Sequence, residues 1–118
     1  MTDVDPLEWK YPAGLVLKNS DTTTLREVGF FLRSNDRFTD DTLTLGLTIY
    51  TPDTLRYEES VRLVVPRTVI PSALVRETAI PYRSRVKFPR TGDYRVILTP
   101  ARPVTGIEAI GIHIEKSN

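Results

Sequence analysis

The sequence predicts an all-β protein, a single antiparallel β-sandwich of about eight strands with jelly-roll or immunoglobulin-like topology. Apolar and polar residues alternate with a period of two, and no window of a dozen residues keeps the 3.6-residue period of a helix. Most of the nine prolines fall between the alternating segments, where a missing N–H interrupts no strand pairing. A chain of 118 residues without cysteine is long enough to form one domain around one core without disulfides.

The clearest strand runs from Asp41 to Tyr50, where Leu43, Leu45 and Leu47 alternate with threonine and glycine. This alternation predicts one face in the core and one in solvent. Seven further segments carry β-branched or aromatic residues at alternate positions: Leu15–Lys18, Leu25–Arg33, Leu55–Val65, Leu74–Ile80, Tyr82–Phe88, Asp93–Thr99 and Ile107–Glu115. Residues 1–12 are expected to be a polar lead-in of the kind that is often mobile, and residues 13–118 to form the sandwich.

Two connections carry specific expectations. The segment Pro89-Arg90-Thr91-Gly92 predicts a hairpin between Tyr82–Phe88 and Asp93–Thr99, because proline presets one turn dihedral and glycine supplies a positive φ. Residues 66–73 fit either a crossover from one sheet to the other or an edge segment. The sequence leaves both interpretations open.

The charge balance gives no reason to expect nucleic acid, because the net charge is +1. Residues 1–59 carry 6 basic and 11 acidic side chains and residues 60–118 carry 10 and 4, and we expect these charges to pair across strands. The longest apolar run is too short to span a membrane. The acidic start at Met1 is unlike a signal peptide and fits either a natural amino terminus or a chain from which a targeting segment was removed.

No pattern of catalytic or metal-binding residues is found. His113, the single histidine, lies opposite an isoleucine stripe and is interpreted as a surface residue, since one histidine cannot build a histidine-based zinc site. The carboxylates beside the expected loops lack the spacing of a calcium loop and are interpreted as solvated turn residues: Asp36, Asp40, Asp41 and Asp53. The sequence therefore predicts no catalytic residue, no cofactor, no metal and no enzymatic activity.

A basic stripe is the first candidate interaction surface. Arg83, Arg85 and Lys87 share one strand face, and Arg95 is expected on the outward face of the next strand. Such a surface could bind an anionic glycan, a phosphate or an acidic partner. The alternative is a solvated sheet face whose cations pair with nearby carboxylates. No aromatic residue alternates with these cations, which argues against single-stranded nucleic acid.

Aromatic residues supply the second candidate surface. Trp9 precedes the first expected strand and could be a sugar platform or an interface anchor, or it could close one end of the sandwich. Phe30 and Phe31 must point to opposite faces of an extended segment, so one of them lies outside the main core. A carbohydrate-binding module is therefore an alternative function.

Two segments resemble a known family. Residues 86–94, Val-Lys-Phe-Pro-Arg-Thr-Gly-Asp-Tyr, and residues 106–115, Gly-Ile-Glu-Ala-Ile-Gly-Ile-His-Ile-Glu, are similar to the GldH family of gliding-motility lipoproteins. Weaker similarity extends over Trp9, the strand ending at Leu32-Arg33 and the polar loop 34–38. The middle differs, because members tend to carry a loop with glycine and tryptophan where this chain has Val65-Pro66-Arg67-Thr68-Val69-Ile70-Pro71.

The resemblance implies a non-enzymatic lipoprotein of the bacterial cell envelope. It would have a structural or assembly role in a complex associated with gliding and secretion, and it would work through contacts with envelope proteins. The family's membrane anchor is an acylated cysteine that follows a signal peptide, and neither is in this sequence. We expect the chain to be the soluble part of such a lipoprotein, with Arg83, Arg85, Lys87, Arg95 and Trp9 as the contact surface.

Overall fold

The computed structural model describes residues 2–65 and 75–117. Alternating side chains produce strands throughout this part of the chain, and the described residues form eight strands and no helix. They are β1 (Thr2–Asp3), β2 (Ala13–Asn19), β3 (Arg26–Asn35), β4 (Thr42–Tyr50), β5 (Arg56–Val64), β6 (Val75–Val86), β7 (Gly92–Pro100) and β8 (Ile107–Lys116). The all-β prediction is confirmed.

The strands form two antiparallel sheets of four. The front sheet has the order β1-β8-β3-β6 and the back sheet the order β2-β7-β4-β5. The first strand therefore pairs with the eighth, the second with the seventh, the third with the sixth and the fourth with the fifth. This nested order is that of a jelly roll, so the jelly-roll alternative describes the sandwich.

The core lies between the two sheets and follows the predicted alternation. Leu43, Leu45 and Leu47 are buried, as expected for one face of β4. Phe30 is 1% exposed, and Phe31 lies on the other side of β3 and is half-buried. The remaining large side chains of the centre come from both sheets and include Leu32, Leu63, Val96, Leu98, Ile107 and Ile110.

The predicted hairpin at residues 89–92 is wrong. Gly92 does adopt a positive φ of 121°, as the turn chemistry required. However, β6 belongs to the front sheet and β7 to the back sheet, so the connection crosses between the layers. Proline and glycine favour a change of chain direction in either case, and local sequence does not determine whether the next strand pairs with the last.

One long strand replaces the two expected on either side of Pro81. Strand β6 continues through this proline because it is an edge strand among the described strands, of which it pairs with β3 alone. Two register shifts occur near Val28 and Gly29, so β6 carries extra residues relative to β3. Arg85 has a φ of 54° and lies in the irregularity between the pairs Arg26–Val86 and Val28–Arg83. These bulges break the simple alternation expected for Tyr82–Phe88.

The amino-terminal residues join the sandwich. Thr2 and Asp3 pair with Ile110 and Ala109 of β8. Trp9 forms an isolated antiparallel bridge with Val104. The expected lead-in over residues 1–12 thus contributes the first strand of the front sheet.

Charges of the two halves of the chain pair in space, as expected. Ion pairs between described residues join positions before 60 to positions after it, among them Arg33–Glu77, Arg83–Glu59, Arg90–Asp53 and Arg102–Asp40. Each sheet also contains strands from both halves. The opposite net charges of the halves therefore do not separate into two faces.

No helix within residues 2–65 and 75–117 is long and apolar enough to cross a membrane. Residues 66–73, for which the sequence predicts a crossover or an edge segment, lie outside the described residues. Most of the segment in which the sequence differs from the GldH family, Val65 to Pro71, lies outside them as well.

Candidate functional site

An apolar cavity of about 270 Å³ lies between the two sheets at one end of the sandwich. This end is formed by the β4–β5 turn and the β6–β7 crossover. We call this space the end cavity. The residues that line it are Leu17, Val28, Phe30, Leu47, Ile49, Thr51, Asp53, Leu55, Tyr57, Tyr82, Val86, Phe88, Pro89, Tyr94, Val96 and Ile112. Ligand sites in proteins share this character, a concave and mostly apolar wall with a few polar groups.

The inward-facing side chains of the two sheets leave a space between them at this end, with buried residues at the bottom of the space and exposed residues at its opening. Phe30 and Val96 form a closed floor, each 1% exposed. At the opening, Leu55 and Tyr57 are 51% and 57% exposed although both line the cavity. Large apolar side chains that remain in contact with water at the entrance of an apolar cavity favour the uptake of an apolar group.

The polar groups of the β4–β5 turn are bonded to one another or to the crossover. The Thr51 hydroxyl donates to the Asp53 carboxylate at 2.5 Å, and Arg90 Nε donates to the same carboxylate at 3.2 Å. These two interactions hold the pKa of Asp53 below its ordinary value, the Thr51 hydrogen bond being the stronger cause. Asp53 is therefore a carboxylate that holds the two connections together.

Three polar side chains, Glu59, Tyr82 and Arg83, form a second hydrogen-bonded cluster, which we call the trio. It lies at the side of the sandwich, between the edge strands β5 and β6. Glu59 accepts a hydrogen bond of 2.6 Å from the Tyr82 hydroxyl and bonds of 2.8 and 2.9 Å from Arg83. The hydrogen bond from Tyr82, followed by that from Arg83, lowers the pKa of Glu59. Burial, with the bond to Glu59, raises the pKa of Tyr82. This trio links the edge of the back sheet to the edge of the front sheet.

The structure does not bring the expected basic surface together. Arg83 points to Glu59, and the backbone N–H of Arg85 donates to Glu27 at 3.2 Å. The expectation that Arg95 lies on the neighbouring strand is wrong, because β7 belongs to the other sheet; Arg95 instead stacks on Tyr50 at 5.5 Å. Lys87 is exposed in the crossover that follows β6.

Trp9 lies in the core. Its side chain is 2% exposed, and Nε1 donates a hydrogen bond of 2.8 Å to the carbonyl of Tyr11. The indole therefore cannot serve as an exposed sugar platform or interface anchor. Its buried position fits the alternative interpretation, in which it closes one end of the sandwich. Tyr11, its neighbour two residues later, is 72% exposed.

The remaining candidate residues lie apart. His113 is exposed on the outer face of the front sheet, where Nε2 lies 2.7 Å from a carboxylate oxygen of Glu115. Asp40 pairs with Arg102 at 3.2 Å, and Asp36 is exposed in the β3–β4 connection. Within the part of the chain that the structure describes, no three histidine, aspartate or glutamate side chains form a group that could hold a metal.

Sequence reasoning missed the end cavity. Its wall combines residues from seven strands and two connections, so no local motif marks it. One signal was present: Leu55 and Tyr57 are two apolar residues at alternate positions where a turn meets a strand. Such a pair is equally typical of a strand that packs fully, and sequence spacing does not distinguish the two cases.

Comparisons with known proteins supply no relative. A scan against models of protein families, a search of curated proteins and a search of solved structures each found no match.

Proposed function

We propose that this protein is a non-enzymatic domain of the bacterial cell envelope that acts through protein contacts. Its role would be structural or in assembly, within a complex associated with gliding motility or secretion. The resemblance of residues 86–94 and 106–115 to GldH lipoproteins supports this proposal. The anchor would be an acylated cysteine upstream of the present sequence.

The free edge of β5 is the structural observation that carries the proposal. Strand β5 pairs with β4 over nine consecutive residues, Arg56 to Val64, without a register shift. It is the last strand of the back sheet, so one side of its backbone is not engaged by a described strand. A long regular edge of this kind can accept an extended segment of another protein as an additional strand.

The other edges are less suited to strand addition. Strand β6 contains Pro81 and two register shifts, which interrupt an edge. Strand β1 has only two residues, and Thr2 Oγ1 donates a hydrogen bond of 3.0 Å to the carbonyl of Gly14 in β2. Strand β2 is regular but pairs over seven residues against nine in β5, so β5 is the longest regular edge among the described strands.

The charges of β5 set the chemistry of such a partner. Arg56, Glu58 and Arg62 lie on its outer face and are exposed, together with Ser60 between them. Charged residues on an edge oppose uncontrolled pairing between copies of one chain. A partner strand with complementary charges at alternate positions would be selected over an apolar one.

The first experiment determines where the protein is and how it begins. The native protein is isolated from fractionated source cells, and its mature amino terminus is identified by mass spectrometry. The proposal expects the envelope fraction and an acylated cysteine upstream of residue 1. An unmodified start at Met1 in the cytoplasmic fraction would contradict it.

A second experiment tests the β5 edge. A photo-crosslinking residue replaces Ser60 in the full-length protein in intact cells, and the matched control places it at Val16, which is 56% exposed on the opposite edge of the same sheet. We expect a discrete crosslinked product with an envelope protein from position 60 and none from position 16. Equal products from both positions, or none from position 60, would rule out β5 as the contact.

A further inference from the structure

The end cavity has an apolar interior because the polar side chains of its wall, apart from the exposed Tyr57 at the entrance, are bonded elsewhere. The Tyr82 hydroxyl donates to Glu59, the Tyr94 hydroxyl is bonded to the backbone of Arg90, and Asp53 is bonded to Thr51 and Arg90. A guest inside the cavity would therefore contact carbon almost exclusively. Binding there would be driven by removal of apolar surface from water.

Two cations face the same end of the sandwich. Alternation along β3 places Arg26 on the inward side together with Val28 and Phe30, and its register partner in β8 is Lys116. Arg26 is a half-buried residue, and its guanidinium stacks on the ring of Phe88, which lines the cavity, with Cζ at 5.3 Å from the ring centroid. Within residues 2–65 and 75–117, neither cation has a carboxylate partner. The end thus offers positive charge beside an apolar cavity.

We propose that the end cavity binds a free single-chain carboxylate of about ten carbons, with the alkyl chain between the sheets and the carboxylate beside Arg26 and Lys116. The size follows from volume. An apolar cavity of about 150 Å³ accommodates benzene, or roughly 25 Å³ for each carbon. On that scale the 270 Å³ of the end cavity hold a chain of about ten carbons. This inference is independent of the proposed envelope role and is tested on the purified protein.

Chain length is the first test. Hexanoate, octanoate, decanoate and dodecanoate are titrated into the protein by calorimetry, each below its micelle concentration. Burial of each methylene should strengthen binding about fourfold. We expect this increase from hexanoate to decanoate and a clear loss of the gain at dodecanoate, once the cavity is full. Absence of saturable decanoate binding, or an unbroken increase through dodecanoate, would overturn the proposal.

The second test fills the cavity. Ile112→Phe adds a ring at the cavity wall, and decanoate binding should weaken more than tenfold. Ile97→Phe is the matched control, since Ile97 pairs with Thr48 on the outer face of the back sheet and is not part of the cavity wall. Circular dichroism verifies the fold of both variants, and Ile49→Phe replaces Ile112→Phe if the latter does not fold. Equal weakening by the cavity variant and the control would refute the cavity as the site.

The third test concerns the head group. Decanoate and decanol share a chain, so the difference in their affinities reports the contribution of charge. An ion pair near the surface is worth a factor of about three, so Arg26→Gln should weaken decanoate about threefold and leave decanol unchanged. Decanoate binding that is insensitive to Arg26→Gln, or an equal loss for both ligands, would refute the assigned position of the carboxylate.

Discussion

The hydroxyl of Tyr94 is bonded twice to the backbone of Arg90. It donates to the Arg90 carbonyl at 2.9 Å and accepts from the Arg90 N–H at 3.1 Å. The same carbonyl accepts a hydrogen bond of 2.8 Å from the buried Asn19 side chain of β2. The crossover that closes the end cavity is thereby attached to two strands of the back sheet, in the manner of a tyrosine corner.

Tyr94→Phe should destabilise the protein by about 1–3 kcal/mol, because the Arg90 N–H loses its acceptor and the Arg90 carbonyl keeps only the bond from Asn19, while the buried ring is preserved. Urea unfolding measures the change. Tyr50→Phe is the matched control, since Tyr50 lies on the outer face between Arg56 and Arg95. We expect a change within about 0.5 kcal/mol there. Similar losses in both variants would show that the two hydrogen bonds contribute little.

Gly106→Ala should cost about 2 kcal/mol or more. Gly106 has a φ of 95°, and an added Cβ would lie 2.2 Å from the backbone nitrogen of Phe38. The substitution combines backbone strain with overlap against the backbone of Arg37 and Phe38. Gly14→Ala is the control, because a Cβ at Gly14 meets nothing within 4 Å. Thermal unfolding should show a large loss for the first variant and no loss for the second; equal melting temperatures would contradict the close contact.

The side chains of Glu59 and Tyr82 should be energetically coupled. A double-mutant cycle of Glu59→Gln and Tyr82→Phe measures their interaction in urea unfolding. Because both lie near the surface, we expect a coupling free energy of about 0.5–1 kcal/mol. The control cycle pairs Glu59→Gln with Tyr50→Phe, whose hydroxyl does not bond to Glu59, and should give no coupling. A zero value in the first cycle would show that the trio does not help to join the sheets.

Acid should remove a stabilising contribution of Asp21. In the β2–β3 connection its carboxylate accepts hydrogen bonds from the side chains and backbone N–H groups of Thr24 and Thr23. The Thr24 hydroxyl, followed by Thr23, holds the pKa of Asp21 well below its ordinary value of 3.8. A lowered folded-state pKa stabilises the fold above the unfolded-state value, and this stabilisation is lost as pH falls towards the folded-state value.

The stability advantage of the native protein over Asp21→Asn should therefore be full above about pH 5 and decline as the pH is lowered through 3.8. Urea unfolding at a series of pH values measures the difference. A nuclear magnetic resonance titration of the Asp21 carboxyl carbon provides a direct control. A midpoint near 3.8 would contradict the role of the two threonines.

The alternation of side chains predicted the interior of the sandwich well. Leu43, Leu45 and Leu47 are buried, and Phe30 and Phe31 point to opposite faces, because both results depend only on the geometry of one extended strand. Alternation failed near Arg83 and Arg85, where bulges add residues to β6. The need for a bulge depends on the partner strand, which the local pattern does not include.

The candidate sites required information that one sequence does not contain. Whether Arg83 and Arg95 share a face depends on the assignment of β6 and β7 to different sheets, which is a property of the complete topology. The exposure of Trp9 depends on its bridge to Val104, nearly the whole chain away. The end cavity is lined by side chains of both sheets, so its presence depends on how the two sheets pack together, which the sequence pattern of one strand does not contain.

The nested strand order also has a consequence for how the molecule reaches its native state. The β4–β5 turn joins Tyr50 directly to Arg56, whereas almost the entire chain separates Thr2 from its partner Ile110. Closing a short loop costs less conformational entropy than closing a long one. We therefore expect the innermost hairpin to form first and the pairing of β1 with β8 to complete the process, at the slow rates typical of proteins dominated by distant contacts.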